Sequence, residues 1–188
     1  AANLDGVLRT TDMIYSEFFS KETGNRIYIK PENLQRTGSF KIRGAFNKVA
    51  NLTEEERAKG IIASSAGNHA QGVALAASKM GIKATIVMPQ VTPLIKIDST
   101  KSYGADVVLH GNVYDEAYAK AVELAEANGY TFVHPYNDYD VMCGQGTIAL
   151  EILEELEDID QILVPVGGGG LISGIAMAAK AIKPTIQV

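Results

Sequence analysis

The chain has 188 residues, 46% of them hydrophobic and 21% charged, with a formal net charge of −5, which suits one sizeable globular domain or two small lobes. It has no basic stripe interleaved with aromatics, which argues against a nucleic-acid partner, and no apolar run of membrane-spanning length. The single cysteine, Cys143, excludes an internal disulfide, and His69, His110 and His134 stand in no metal-ligand spacing. A lone thiol fits a reducing cytosol. Ala1 in place of an initiator methionine, with no signal-peptide pattern, suggests that something preceded it.

Residues 13–21 read as a short helix stopped by Gly24, and residues 26–30 alternate as a strand does. Residues 31–38 form a loop, and a helix is predicted over 39–50. Thr53 and Glu56 supply the capping box of a further helix. From there the chain settles into regular alternation. Strands are predicted at 60–64, 83–88, 105–109 and 130–134, with helices at 68–80, 93–103, 114–128 and 141–156. A further strand, 161–166, leads into a helix over 171–182. Such alternation argues an α/β protein with parallel sheets. Two lobes are expected. The four β-α units make a small sheet of their own, and the turn-rich Pro135, Tyr136, Asn137 and Asp138 return the chain to the first lobe. The boundaries are placed at 53–140 for the small lobe and at 1–52 with 141–188 for the large one. Residues 185–188 read as the start of another strand, so the C-terminal part of the large lobe is expected to be missing. The 171–182 helix is apolar on more than one side, which predicts an exposed apolar patch over 171–188.

Gly38-Ser39-Phe40-Lys41-Ile42-Arg43-Gly44-Ala45 puts one lysine just inside a helix start, between apolar neighbours. The positive end of the helix dipole and desolvation both disfavour its ammonium form. A lysine so placed is a nucleophile and a base, as Schiff-base chemistry requires. The alternative is an ordinary surface lysine. Ser65, Ala66, Gly67, Asn68 and His69 lie in a turn that follows a strand and opens a helix. Its unpaired N–H groups favour an anion such as a carboxylate, with Asn68 and His69 at the mouth. A plain βα turn with Asn68 as N-cap is the alternative.

Gly167, Gly168, Gly169 and Gly170 stand between an apolar strand and an apolar helix. Four glycines there cost backbone entropy and expose successive N–H groups around a concave anion site. The run lacks the lysine of a Walker loop and the spacing of a dinucleotide fingerprint, so a single phosphate monoester is the better ligand. A flexible loop is the alternative. Gly144 and Gly146 suggest close packing or close approach, Cys143 reads as a small buried residue, His134 as structural and His110 as solvated. A lysine nucleophile, a carboxylate turn and a phosphate cradle together fit a phosphorylated aldehyde held by a lysine, and pyridoxal 5'-phosphate is such a molecule.

GSFKIRGA, SAGNHAQG, GQGT and VPVGGGGL run in order over nearly the whole chain. On these motifs the sequence resembles the threonine deaminase (threonine ammonia-lyase) and serine racemase branch of the fold type II pyridoxal-phosphate enzymes, whose fold is tryptophan synthase β-like. The resemblance implies that Lys41 carries the cofactor and Phe40 packs near its ring. Asn68 would bond the ring hydroxyl, and Gly167, Gly168, Gly169, Gly170 and Leu171 would hold the phosphate. Ser65, Ala66, Gly67, Asn68 and His69 would grip the substrate carboxylate. No metal is implied among these residues.

The implied reaction is β-elimination. The freed lysine removes the Cα proton, the β-hydroxyl leaves, and hydrolysis gives ammonia with 2-oxobutyrate from threonine or pyruvate from serine. By the same resemblance, cysteine synthases carry a threonine at the position of His69. Serine racemases carry a serine at that of Ala66, where it acts as a second base. Elimination is therefore expected to dominate. A serine racemase and a truncated, non-catalytic module are the alternatives. Thr10-Thr11-Asp12 departs from the family's Thr-Pro. The expected enzyme is cytoplasmic and homo-oligomeric, takes a small amino acid, and has no nucleic-acid or membrane partner.

Overall fold

In the computed structural model, which describes residues 1–188, a 3-10 turn at Ala2–Leu4 precedes an antiparallel ribbon. β1 (Ile14–Tyr15) pairs with β2 (Tyr28–Ile29), and α1 (Glu17–Thr23) lies between them. Ser16 caps α1 by accepting from the Phe19 N–H, and Gly24 ends it in the left-handed conformation. The helix expected over 13–21 starts late because the ribbon takes Ile14 and Tyr15. Both residue types suit a strand, and the Ser16 N–H is already spent on the Ile27 carbonyl.

α2 (Lys41–Ala50) follows two short 3-10 turns, and α3 (Glu54–Lys59) opens on the Thr53–Glu56 capping box. Four strands then form one parallel sheet: β3 (Ile61–Ser64), β4 (Ala84–Met88), β5 (Asp106–Leu109) and β6 (Thr131–Phe132), in the order β5-β4-β3-β6. β3 and β4 are apolar but for Ser64 and Thr85 and are buried along their length, as the inner strands of a two-sided sheet must be. Between the strands run α4 (Asn68–Met80), α5 (Leu94–Ser102) and α6 (Tyr114–Asn128). Alternate residues face opposite ways. Ile61, Ala63, Ile86 and Met88 join the main core with α2 and α4, whereas Ile62 and Val87 pack on Ala117 and Ala121 of α6.

α7 (Tyr139–Glu155) and α8 (Gly170–Ile182) follow the sheet. α2, α7 and α8 meet through glycines. A Cβ on Gly44 would stand 2.7 Å from the Val141 carbonyl oxygen, and one on Gly146 would stand 2.8 Å from that of Gly174. Gly44 and Gly146 therefore serve close helix packing. One main core spans α2, α4 and the sheet. Leu4, Val7, Ile42, Ala45, Phe46 and Val49 share it with the sheet, while Ile148, Ile152, Ile162, Ile175 and Ile186 form a second cluster.

Two expectations are corrected. Residues 161–166 and 185–188 form no ladder, because within the chain they find only each other, in a single parallel bridge between Gln161 and Gln187. Leu163 and Val166 are left exposed, as are Met177 and Ile182 of α8. Cys143 is exposed, not buried. Val141, Gln145, Ile148 and Ile152 make the inward stripe of α7, and position 143 falls on the opposite side of the helix. No helix is long and apolar enough to cross a membrane.

Candidate functional site

Lys41 is the first residue of α2, with Phe40 at the N-cap making no side-chain cap bond. Its Nζ lies 5.3 Å from the Phe40 ring centroid and donates to the Pro135 carbonyl at 2.8 Å. Burial lowers the ammonium pKa below the ordinary lysine range. Two residues on, Arg43 is fully buried. Its guanidinium pairs with Glu32 through Nε and Nη2, both at 2.8 Å, and with Glu151 through Nη2 at 2.8 Å. Lys30 joins Glu151 at 2.9 Å and Glu155 at 3.2 Å. This network ties α2 to α7 and to the segment before it.

The glycine turn faces Lys41. A cavity of about 310 Å³ is lined by Phe40, Lys41, Tyr136 and residues 165–172, which include Gly167, Gly168, Gly169, Gly170 and Leu171. Gly169 holds φ +87°, a conformation that side chains resist, and so starts α8 sharply. The first helical bond runs from the Ser173 N–H to the Gly169 carbonyl, leaving the N–H groups of Gly170, Leu171 and Ile172 without helical partners. Added Cβ atoms at Gly167 and Gly169 would meet nothing within 4 Å. At Gly168 the Cβ would overlap the Tyr136 ring, and at Gly170 it would stand 2.8 Å from Tyr136 backbone atoms.

The turn of Ser65, Ala66, Gly67, Asn68 and His69 does not line this cavity. It lies where β3 ends and α4 begins. Gly67 is the N-cap, with no side-chain cap bond, and Asn68 is exposed as the first helical residue. The reading of Asn68 as an N-cap is thereby excluded, and the start of α4 is left uncapped. His69 is not at the mouth. Its ring is buried, with Nε2 on the Val133 carbonyl at 2.8 Å and Nδ1 without a partner. Burial lowers its pKa to about 4, against the bond to Val133. α4 approaches α2 closely at Gly72, where a Cβ would stand 3.1 Å from the Lys41 carbonyl carbon.

Pro135 and Tyr136 were legible only as a turn. Their position just past the C-terminal end of β6, where ligands of parallel sheets collect, is the signal that could have marked them. His134 is structural, as expected: its Nδ1 accepts from the Asn137 N–H at 2.8 Å.

The sequence pattern of the family described as "Pyridoxal-phosphate dependent enzyme" matches residues 4–188. The chain is 57% identical over 185 residues to the L-threonine ammonia-lyase of Thermotoga maritima, covering 98% of this chain and 46% of that protein. The processed form of threonine deaminase isoform 2 from Solanum lycopersicum superposes with a TM-score of 0.93 at 48% identity, covering 96% of this chain and 50% of that one. Maize serine racemase superposes with a TM-score of 0.94 at 39% identity, covering 98% and 56%. The chain thus spans about half the length of the relatives it matches. It belongs to the pyridoxal-phosphate dependent enzyme family.

Proposed function

We propose that this member of the pyridoxal-phosphate dependent enzymes serves β-elimination of L-threonine, and of L-serine, to ammonia with 2-oxobutyrate or pyruvate. One observation carries the reading: the Lys41 amine and the glycine turn open into the same cavity. The similarity to proteins named threonine ammonia-lyase and threonine deaminase supports threonine as substrate.

The donor chemistry fits pyridoxal 5'-phosphate. A primary amine suits its aldehyde, and unpaired N–H groups at a helix start suit its phosphate. Open space before Gly167 and Gly169 leaves room for it. Lys41 would carry the cofactor with Phe40 beside its ring and Asn68 at the ring hydroxyl. Gly167, Gly168, Gly169, Gly170 and Leu171 would hold the phosphate. When bound, the cofactor supplies an electron sink for the pair left at Cα.

Lys41 is the base. Its lowered pKa makes the free amine available nearer neutrality than on an exposed lysine, and Nζ takes and holds the Cα proton. The uncapped start of α4 binds the substrate carboxylate through Ser65, Ala66, Gly67, Asn68 and the backbone of His69. Ala66 has no proton to give or take, so elimination outruns racemisation despite the likeness to serine racemase. The same reading has residues 53–140 acting as a small lobe against 1–52 with 141–188, in a cytoplasmic homo-oligomer.

The test is borohydride reduction with pyridoxal phosphate bound, followed by peptide mapping and assay of 2-oxo acids. The pyridoxyl mass is expected on Lys41, and Lys41→Ala should abolish 2-oxobutyrate formation. A label on another lysine refutes the assignment, and efficient conversion of L- to D-serine refutes the choice of reaction.

A further inference from the structure

The turn after β6 makes contacts that the reaction above does not use. His134 Nδ1 accepts from the Asn137 N–H at 2.8 Å and from the Tyr136 N–H at 3.3 Å. Within the same turn the Pro135 carbonyl accepts from Lys41 Nζ at 2.8 Å. The Tyr136 ring stands edge-on to the imidazole, with centroids 4.6 Å apart, and lies against Gly168 and Gly170. One ring nitrogen therefore pins a turn that touches both the amine and the glycine run. An accepting Nδ1 is unprotonated, so the neutral ring carries its proton on Nε2.

We infer that His134 is a positioning residue for Lys41: its neutral Nδ1 fixes the 135–137 turn, and the turn fixes the amine and seats Tyr136 on the glycines. The inference rests on the reading of Lys41 as the reactive amine. Protonation of Nδ1 puts a donor where two N–H groups already point. Both bonds are lost, the turn is released, and the amine loses its carbonyl. The surrounding groups decide when this happens. Burial foremost disfavours the imidazolium, Asp138 in the same turn favours it, and Lys41 of α2 disfavours it. His69 of α4 is a further basic neighbour, held neutral by its own burial. On the remaining side stand the Phe132 ring and, beyond it, Tyr118 and Tyr114 of α6, all uncharged. The ring therefore stays neutral to below the ordinary histidine range and holds the turn at neutral pH.

The experiment is competitive acetylation of lysines in the cofactor-free protein from acid to neutral pH, read by mass spectrometry as the ratio of Lys41 to exposed Lys79. Acetylation requires the amine to leave the Pro135 carbonyl, so release of the turn should raise the Lys41 ratio. In the unaltered protein the ratio should rise about three- to tenfold on the acid side of the imidazole titration, the worth of one net hydrogen bond. His134→Asn places a non-titrating amide oxygen near the Nδ1 position and should keep the low, neutral-pH ratio throughout. His134→Ala should show the high ratio throughout. A pH step that persists in His134→Asn, or an Ala variant that behaves as the unaltered protein, overturns the inference. If the Ala variant fails to fold, the Asn variant alone decides. Because no cofactor is present, an error in the cofactor assignment leaves this ratio unchanged and shows only in the borohydride mapping.

Discussion

Single substitutions along the glycine run separate two reasons for being glycine. A methyl at Gly167 meets open space and should leave stability unchanged. At Gly168 it overlaps the Tyr136 ring, which is 40% exposed and can swing outward, so the cost should sit near the lower end of about 1–3 kcal/mol for overpacking. At Gly170 it presses on the Tyr136 backbone, which cannot swing, and the cost should sit near the upper end of that range, about 3 kcal/mol. A charge tests the other role. Gly167→Asp adds a carboxylate in the open part of the turn without a clash. Two like unit charges at about 4 Å repel by roughly 4 kcal/mol at an effective dielectric of about 20. Solvent and salt reach this exposed turn, so about half of that is a fair expectation, or roughly a 30-fold weaker dissociation constant. Urea unfolding of the three alanine variants and titration of Gly167→Asp with pyridoxal phosphate measure both. Unchanged binding by Gly167→Asp would place the phosphate elsewhere. A neutral Gly170→Ala beside a damaging Gly167→Ala would refute the geometry.

Arg43→Ala should destabilise by about 3–5 kcal/mol in urea unfolding, because it strands Glu32 and Glu151 in a largely buried network; a loss below about 1 kcal/mol would show that the network contributes little. His69 has a folded pKa of about 4, below its ordinary 6.5, so the unfolded chain takes up the proton first. Its contribution is complete above the ordinary value and is lost as pH falls toward the folded one, by about 3 kcal/mol. His69→Gln should remove that slope from a comparison of melting temperature against pH. Ala66→Ser should raise D-serine formation from L-serine, measured by chiral chromatography, and no change would mean that position 66 does not face Cα.

Much of the fold was legible because local signals agreed. The capping box at Thr53 and Glu56, the apolar runs of β3 and β4, and the left-handed glycines that end α1 and α4 each act over a few residues. Lys41 at the start of α2 was legible for the same reason. What escaped depends on pairing across the chain. The Pro135 carbonyl reaches Lys41 over a separation of 94 residues, and nothing local to either announces it. His69 was expected at the mouth from its place in a turn, but the Val133 carbonyl lies inward of it. Cys143 was assigned by residue type, and helical phase overrode that prior.

The pairing of carboxylates explains why Lys41, unlike Arg43 and Lys48, is easier to deprotonate than an ordinary lysine. Arg43 stands two residues away in the same motif, and burial disfavours its charge too, but Glu32 and Glu151 outweigh this and hold its pKa above the usual value. Lys48, two turns further along α2, pairs with Asp138 at 2.9 Å and Asp140 at 3.2 Å, and its pKa rises despite partial burial. Lys30 takes Glu151 and Glu155. Lys41 has burial as its one perturbing cause and a neutral carbonyl as its partner. A carbonyl orients an ammonium without supplying the full negative charge that would hold its proton. The acids near α2 are thus committed to its structural cations, and the residue facing the cavity is left with an oriented, weakly held proton. For Arg43 the division follows from helical phase. Positions 41 and 43 lie about 200° apart around the helix, so one faces the cavity and the other the ion network.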